Sequence, residues 1–385
     1  MNFNLINIIL IIAAAQGLLL QFLIFQKHKA LFANKYLASL MLCYTIVLIN
    51  LLLNDIGFYQ LFPFASLFSG LTLAAMPLHF LYTKHLIHRN QSFNRSEIYH
   101  FIPFFLFEII LALMILSDIQ KTSSVQFNVL ESNYLLGLFN STIIIQGILY
   151  FGLSLRMIKK YNHQVKNVLS SIEKIQLKWL RNITFTGIIA ISIYMFEYLF
   201  QLGGINISGF IISSVFFAFY VYGMGYVGLL KSEIFADPII QKNMAEVETI
   251  DISENERELR KYERSGLSQE AAEKYLGQLL NIMNDEKLYL NSSLTLNELA
   301  EKLTISTHNL SEIINTRLNK NFYDFINGYR IDQAKKDLLD PSKKNLKILS
   351  IAFDAGFNSK TTFNTLFKEY TGKTPSEFRS NPSFV

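Results

Sequence analysis

Residues Leu346–Arg379 read LKILSIAFDAGFNSKTTFNTLFKEYTGKTPSEFR, and this stretch decides the fold of the C-terminal part of the chain. Apolar residues recur three and four positions apart from Ile348 to Ala355, a spacing that predicts the buried face of a short helix. Gly356 follows at once, and a glycine at the end of a helix supplies the left-handed residue of a tight turn. The sequence therefore predicts a short helix that ends in a glycine turn.

A second helix is predicted after this turn. Ser359 can cap its start by accepting a hydrogen bond from a free backbone amide. Its buried face would hold Phe363, Leu366, Phe367 and Tyr370, and its exposed face would hold Lys360, Thr361, Asn364, Thr365 and Lys368. Two short helices around a glycine turn indicate a helix-turn-helix at about 346–370. The second helix has the length and the chemistry to enter a DNA major groove.

An earlier copy of the pattern lies at about 295–317. Thr295 and Glu298 have the spacing of a capping box, and Ser306 can cap the helix that follows it. The apolar positions between these caps are Leu296, Leu299, Ala300 and Leu303. A long amphipathic helix, ended by Asp340-Pro341, is predicted between the two copies. The distance from Ser306 to Ser359 favours two motifs in tandem over one motif or a generic helical bundle.

The tandem arrangement resembles the DNA-binding domain of AraC/XylS-type transcription regulators over roughly residues 276–379. In the second motif the resemblance rests on Ala352, Gly356, Phe357, Phe363, Phe367, Gly372, Thr374, Pro375 and Arg379. In the first motif and the connecting helix it rests on Leu299, Ala300, Leu310, Asn327, Arg330 and Ala334. The resemblance implies an all-α domain whose two recognition helices enter successive major-groove segments on one face of the duplex.

The resemblance also implies which side chains contact DNA. The matching positions are His308, Ser311 and Glu312 in the first recognition helix and Lys360, Thr361 and Thr365 in the second, where Asn364 and Lys368 share the exposed face. Lys343 and Lys344 precede the second motif, where a phosphate is the expected partner. Glu312 departs from a basic or amide reader, so it either accepts from a cytosine amine or bonds within the domain. Because the second recognition helix has no arginine, we expect modest specificity and binding to double-stranded promoter DNA as a homodimer or at repeated sites.

The first 230 residues have a different composition. The whole chain is 51% hydrophobic and only 17% charged, which is too apolar for an ordinary soluble protein. The excess is concentrated in seven runs, each close to the roughly 20 residues that cross a bilayer. These runs are Leu5–Phe25, Tyr36–Leu53, Phe62–Tyr82, Ile98–Leu116, Tyr134–Leu155, Ile183–Leu202 and Ser208–Leu230. No positive residue precedes the first run, so we interpret it as a retained helix and not as a signal peptide.

The lysines and arginines between the runs predict the topology. The odd-numbered loops hold thirteen of these residues, and the even-numbered loops hold only Lys121. The positive loops are expected to face the cytoplasm. We therefore predict a seven-helix bundle in the bacterial inner membrane, with the N-terminus outside and the DNA-binding domain in the cytoplasm.

Three polar residues inside the runs are candidates for a sensor site. Glu108 and Glu197 are costly in hydrocarbon, and His79 shares a run with a proline. Structural hydrogen bonds are the alternative role for the two glutamates, and for His79 the alternative is a helix kink at Pro77 near a snorkelling histidine. The stretch from Gly223 to Gly228 fits the glycine pattern of a dinucleotide site but follows no strand, which favours helix packing. We find no metalloprotease, kinase or nucleophile-elbow pattern, and we expect no catalytic residue, metal or cofactor.

These observations predict an all-α chain with three parts. They are a seven-helix transmembrane domain at 1–231, a charged cytoplasmic linker at 232–269 and an AraC-type DNA-binding domain at 270–385. The linker is either solvated or a short helix that pairs two subunits. We expect a membrane-embedded, sequence-specific transcription regulator, whose membrane part either senses an unknown signal ligand or only anchors the chain in the bilayer. A transporter-like or enzymatic membrane domain with an attached DNA-binding domain is the alternative, and Glu108 and Glu197 are its only support.

Overall fold

The structure is a computed structural model that describes residues 5–27, 31–55, 58, 63–89, 92–121, 133–205, 210–259 and 268–380. Within these ranges the regular elements are helices, and a single isolated bridge joins Leu169 to Thr295. The predicted all-α class is confirmed. The α-helices are α1 (Leu5–Gln26), α2 (Ala33–Asp55), α3 (Leu71–His88), α4 (Ile102–Lys121), α5 (Asn133–Val168), α6 (Lys178–Leu202), α7 (Ile211–Phe235), α8 (Pro238–Leu259), α9 (Gln269–Asp285), α10 (Leu296–Lys302), α11 (Thr307–Leu318), α12 (Phe322–Leu339), α13 (Ile348–Asp354), α14 (Lys360–Thr371) and α15 (Pro375–Ser380).

The chain forms two compact units. The first comprises Met1–Lys160 and Leu177–Asp237, and the second comprises Tyr161–Gln176 and Pro238–Val385. Helix α5 therefore begins in the first unit and ends in the second. The segment 161–176 belongs to the second unit, although the sequence pattern placed it in a loop of the membrane domain.

Six helical segments of the described chain are long and apolar enough to cross a membrane, and all begin in the first unit. The third predicted run is divided, because a 3₁₀ helix at Pro63–Gly70 precedes α3. Helix α3 has only 18 residues, and His79, Lys84 and His85 interrupt its apolar sequence. Phe62 and Ser208, the predicted starts of the third and seventh runs, lie outside the described residues. Seven crossings remain a prediction.

Small residues permit close packing inside the first unit. A side chain at Gly225 would meet Leu20 and Met41, and one at Gly228 would meet Leu37, each at 2.8 Å or less. Gly225 and Gly228, which lie within α7, therefore serve helix packing, as their position in an apolar helix indicated, whereas a Cβ atom at Gly223 would have no neighbour within 4 Å.

A buried carboxylate, which the sequence pattern did not single out, ties three elements of the first unit together. Glu97 lies in a 3₁₀ helix at Arg95–Phe101, and its side chain is only 1% exposed. Its Oε1 is 2.9 Å from both Lys84 Nζ and His85 Nε2, and the Tyr36 hydroxyl donates to its other oxygen. These contacts join α2 and α3 to the start of the segment that leads into α4.

The second unit is built around α12. Its core includes apolar side chains from α9 to α12, among them Leu279, Leu299, Leu310 and Ile326. The charged stretch predicted as a linker contains α8, on which Ile240, Met244 and Val247 are buried. The remaining part of that stretch, at 260–267, lies outside the described residues.

Candidate DNA interface

The first helix-turn-helix consists of α10 and α11. The Glu298 amide donates to Thr295 Oγ1 at 3.2 Å and the Thr295 amide donates to Glu298 Oε2 at 3.0 Å, which completes the predicted capping box. Ser306 caps α11, because its hydroxyl accepts from the Asn309 amide at 3.2 Å. The turn between the helices places Thr304 at a φ of 55°, a left-handed conformation that is rare for a β-branched residue.

The second helix-turn-helix consists of α13 and α14, and its turn requires glycine for two reasons. Gly356 has a φ of 93°, in the left-handed region. A Cβ atom at this position would also lie 2.5 Å from the carbonyl oxygen of Tyr289 and 3.0 Å from Arg330 Nε. Ser359 then caps α14 by accepting from the Thr362 amide at 3.3 Å.

The two faces of α14 differ in chemistry. Phe363, Leu366 and Phe367 are buried, and the Phe363 ring meets Phe357 edge to face and Phe367 at a tilt, with ring centroids 5.2 and 5.4 Å away. Tyr370 differs from the predicted burial, since it is 42% exposed and its hydroxyl donates to the Asp324 carbonyl of α12. The opposite face is exposed and carries the predicted polar residues Lys360, Thr361, Asn364, Thr365 and Lys368.

The predicted contact residues of α11 differ in exposure. Ser311 is buried, and its hydroxyl accepts from the side-chain amide of Asn315 at 3.3 Å. This position therefore packs within the domain, because it directly follows the buried Leu310 and lies about one turn before the buried Ile314. His308 and Glu312 are partly exposed and lie four residues apart, with His308 Nε2 3.6 Å from Glu312 Oε2. Glu312 thus has a partner within its own helix, one of the two roles that the sequence left open.

The two lysines before α13 have different surroundings. Lys343 Nζ donates to Asp337 Oδ1 at 2.7 Å, and this hydrogen bond raises the pKa of Lys343. Asp337 lies on α12 and is almost buried, so Lys343 is committed to an ion pair inside the domain. Lys344 is exposed. It is the better candidate for a phosphate contact.

The comparisons with known proteins fit this geometry. A family model described as a helix-turn-helix domain matches residues 299–381, which include both recognition helices. The C-terminal domain is an AraC-type helix-turn-helix domain. A regulator named only as HTH-type from Staphylococcus aureus (strain COL) is 33% identical over 110 residues, which are 26% of this chain and 14% of the relative. The Msm operon regulatory protein of Streptococcus mutans is 30% identical over 112 residues, which are 29% of this chain and 38% of the relative. No solved structure matches.

A buried arginine joins distant parts of the AraC-type domain. Arg330, on α12, is 0% exposed and makes five hydrogen bonds. Its Nε donates to the Tyr289 carbonyl at 2.8 Å, and one terminal nitrogen donates to the Asn291 carbonyl at 2.8 Å. The other three hydrogen bonds go to the Ser170 carbonyl, the Ser170 hydroxyl and the side-chain oxygen of Asn327. Burial lowers the pKa of Arg330 to about 10, so the guanidinium stays charged at neutral pH and neutral oxygens solvate it.

Segment 161–176 completes the site around Arg330. The Ser170 carbonyl accepts from Arg330 and from Asn327, and the Ser170 hydroxyl accepts from Arg330 at 3.0 Å while donating to the Leu294 carbonyl at 2.6 Å. The Ser170 amide also donates to Leu294, next to the bridge between Leu169 and Thr295. The apolar residues Leu169, Ile172 and Ile175 are buried. Sequence reasoning missed this segment, although its apolar residues spaced three apart were a usable signal.

Two of the three predicted sensor residues, Glu197 and His79, have side-chain hydrogen bonds that give them a structural role. Both carboxylate oxygens of Glu197 accept backbone amides at the start of α7, from Ile212 and Ser213 at 3.2 Å each, so Glu197 caps that helix. His79 is buried with Nε2 3.1 Å from Thr184 Oγ1. Because that hydroxyl gives its proton to the Leu180 carbonyl, His79 Nε2 is the donor. Glu108 lies against Gly70, where an added Cβ would meet its carboxylate.

The structure identifies no metal-binding cluster within the residues it describes.

Proposed function

We propose that this protein is a membrane-embedded, sequence-specific transcription regulator in which segment 161–176 couples the membrane helices to the AraC-type domain. The relatives are named as regulators, and the helix-turn-helix family model matches residues 299–381. The exposed polar face of α14 supports DNA binding, with Lys360, Thr361 and Thr365 as base readers and Lys344 at a phosphate. His308 and Glu312 are the remaining candidates on α11.

The six long apolar helices support the membrane part of the proposal, and α3 would be a seventh, shorter crossing. Large apolar side chains on these helices are exposed, including Leu113, Ile148 and Phe219, which suits contact with lipid. The positive loops favour an outside N-terminus. Topology reporters fused after Asn128 and after Asn167 should report periplasmic and cytoplasmic positions respectively, and the reverse pattern would reject the orientation.

One observation supports the proposed coupling between the long apolar helices and the AraC-type domain. The connection between α5 and α6, two of the proposed membrane helices, supplies Ser170 to the buried Arg330 of the AraC-type domain. A bare anchor has no need of a membrane loop inside the core of the DNA-binding domain. Arg330 in turn lies beside Gly356 and over the ring of Phe357, at 5.9 Å from its centroid. Any change that withdraws the segment therefore disturbs the turn of the second motif.

This arrangement predicts which state binds DNA. With segment 161–176 docked, Arg330 is fully hydrogen-bonded and braces the second helix-turn-helix. With the segment withdrawn, a buried charge loses partners, which is costly. We infer that the docked state binds DNA and that a signal in the membrane domain acts by favouring or opposing docking. The transporter or enzyme alternative loses much of its support, because Glu197 caps α7.

A disulfide across the bridge tests the proposal. Leu169→Cys with Thr295→Cys, in a chain carrying Cys43→Ser, should form a cross-link in purified full-length protein held in lipid nanodiscs. The oxidised form should bind promoter fragments at least as tightly as the reduced form. Lys174→Cys with Thr295→Cys is the control, since Lys174 is exposed on the same segment. Equal cross-linking of both pairs would show that the segment does not dock as described, and a cross-linked protein that has lost DNA binding would reverse the assignment of states.

A further inference from the structure

A cavity of about 580 Å³ lies inside the first unit. Residues from all of α1 to α7 line it, including Leu10, Val47, Phe139 and Phe217. Pockets that hold small molecules in proteins have volumes of about 300–1,000 Å³ and often lie between the helices of bundles. The cavity therefore has room for one small molecule, enclosed by every long helix of the unit.

The described residues that line the cavity carry no charged side chain. No aspartate, glutamate, lysine, arginine or histidine is among them, and the three predicted sensor residues do not belong to this lining. The polar residues of this lining carry amides and hydroxyls, among them Asn7, Asn50, Asn54, Tyr44 and Tyr220. An ion entering this space would lose its hydration without finding an opposite charge, which is strongly unfavourable. The lining therefore selects an uncharged molecule.

The hydroxyl groups of the lining have unused hydrogen-bonding capacity. Tyr44 and Tyr220 are buried neighbours with ring centroids 5.7 Å apart, and neither hydroxyl has a partner outside this pair among the described residues. Within the same part of the chain, the buried Ser69 hydroxyl has no partner either. Buried polar atoms are normally hydrogen-bonded, so such groups require an explanation. A ligand carrying a hydroxyl or a carbonyl would supply the missing partners.

We propose that this cavity binds the signal molecule, and that the signal is an uncharged amphiphile with a hydrocarbon body and one or two hydroxyl or carbonyl groups. The identification of the ligand as a signal rests on the proposed function. The binding itself does not, because it follows from the volume and the chemistry of the cavity. A hydrocarbon chain of a bilayer lipid shares part of this chemistry, so the test separates a free amphiphile from a resident lipid.

The probe is an octanol that carries a photoreactive diazirine, added to the full-length protein in nanodiscs of fixed lipid composition. After irradiation, mass spectrometry should find label on cavity residues, and unlabelled octanol should compete with it. The matching diazirine octanoate is ionised at neutral pH. Its labelling of these residues should be at least about tenfold lower than that of the octanol probe, because a carboxylate has no partner in the lining. Labelling that free octanol cannot displace, or a lipid that stays bound through purification, would overturn the proposal.

Two variants sharpen the test. Ala190→Phe fills space at the cavity wall and should reduce competable labelling about tenfold or more, as expected when a ligand is excluded sterically. Ile189→Phe is its control, because Ile189 is the preceding residue of α6, does not line the cavity and is 50% exposed on the outer surface. Tyr44→Phe removes a hydroxyl without changing the volume and should weaken octanol about three- to tenfold, the effect of one hydrogen bond. Equal effects of Ala190→Phe and Ile189→Phe would refute the site.

The outcomes also separate this inference from the proposed function. Photolabelling is a binding measurement that involves no DNA. If labelling fails while the full chain still binds promoter DNA, this inference is wrong and the regulator function stands. If labelling succeeds but the protein binds no DNA, the cavity is a ligand site in a protein that is not a regulator.

Discussion

The coupling proposal makes a quantitative prediction for Ser170→Ala. The Ser170 hydroxyl is buried, accepts from Arg330 at 3.0 Å and donates to the Leu294 carbonyl at 2.6 Å. Deleting it removes one charge-assisted and one neutral hydrogen bond, for which typical values are about 1.5–3 and 0.5–1.5 kcal/mol. The loss is moderated because Arg330 keeps four hydrogen bonds and the Leu294 carbonyl keeps the Ser170 amide. We expect docking of segment 161–176 to weaken by about 2 kcal/mol, or about 30-fold in the docking equilibrium.

The assay is amide hydrogen exchange on the full-length protein in nanodiscs, together with its affinity for promoter DNA. Ser170→Ala should speed exchange at the Ser170 amide and at the Arg330-facing turn of α12 by about 30-fold where local opening limits exchange. DNA affinity should fall in the same variant. Ser171→Ala is the matched control, because Ser171 is partly exposed and has no side-chain hydrogen bond in the described structure. If the two variants behave alike, the hydroxyl of Ser170 does not hold the segment and the coupling argument fails.

The remaining predictions concern the second helix-turn-helix. Gly356→Ala should destabilise the domain more than Gly372→Ala: both positions have positive φ, at a cost of about 1 kcal/mol, but only Gly356 also faces a carbonyl at 2.5 Å. Thermal unfolding of the two variants measures the difference, and equal losses would show that the close contact relaxes freely. Lys360→Ala should cost about 1–3 kcal/mol at one preferred base pair and relax preference there. Lys344→Ala should weaken all DNA sequences alike and lower the salt slope by about one unit. Titration of a panel of site variants at two salt concentrations distinguishes the two lysines, and a uniform loss with Lys360→Ala would place that side chain on the DNA backbone.

The helix-turn-helix motifs were predictable because their signals are local. Each motif contains a cap or a turn, namely the capping box at Thr295, the serine caps and the turn at Gly356. The residues of each feature lie within a few positions of one another, so its geometry can be predicted from the local sequence. The exposed face of α14 followed from the 3.6-residue period alone. The buried position of Ser311 did not, because Ser311 lies at the edge of the apolar face of α11, where a small polar side chain can be either buried or exposed. Helical periodicity also could not show that Asp337 takes the ammonium of Lys343.

The apolar N-terminal part shows a different limit. Hydropathy identifies long apolar helices, but a 3₁₀ helix occupies the first part of the third predicted run, and α3 extends beyond the end of that run and carries His79, Lys84 and His85. Glu97 was not singled out because it stands beside Arg95 in a stretch that reads as a charged loop, whereas the fold buries it against Lys84 and His85. The cost of the carboxylate is offset by these partners, which only the tertiary structure brings together.

Arg330 shows how a family residue can acquire a further role in one chain. The resemblance to AraC/XylS-type domains marked Arg330 and Asn327 without assigning them a function. Two of the five hydrogen bonds of Arg330 go to Ser170, and the Asn327 amide also donates to the Ser170 carbonyl, across more than 150 residues of sequence. A buried guanidinium requires acceptors, and a loop between two apolar helices supplies them here. The need of the arginine for acceptors is therefore the physical basis of the proposed coupling between the long apolar helices and the turn at Gly356.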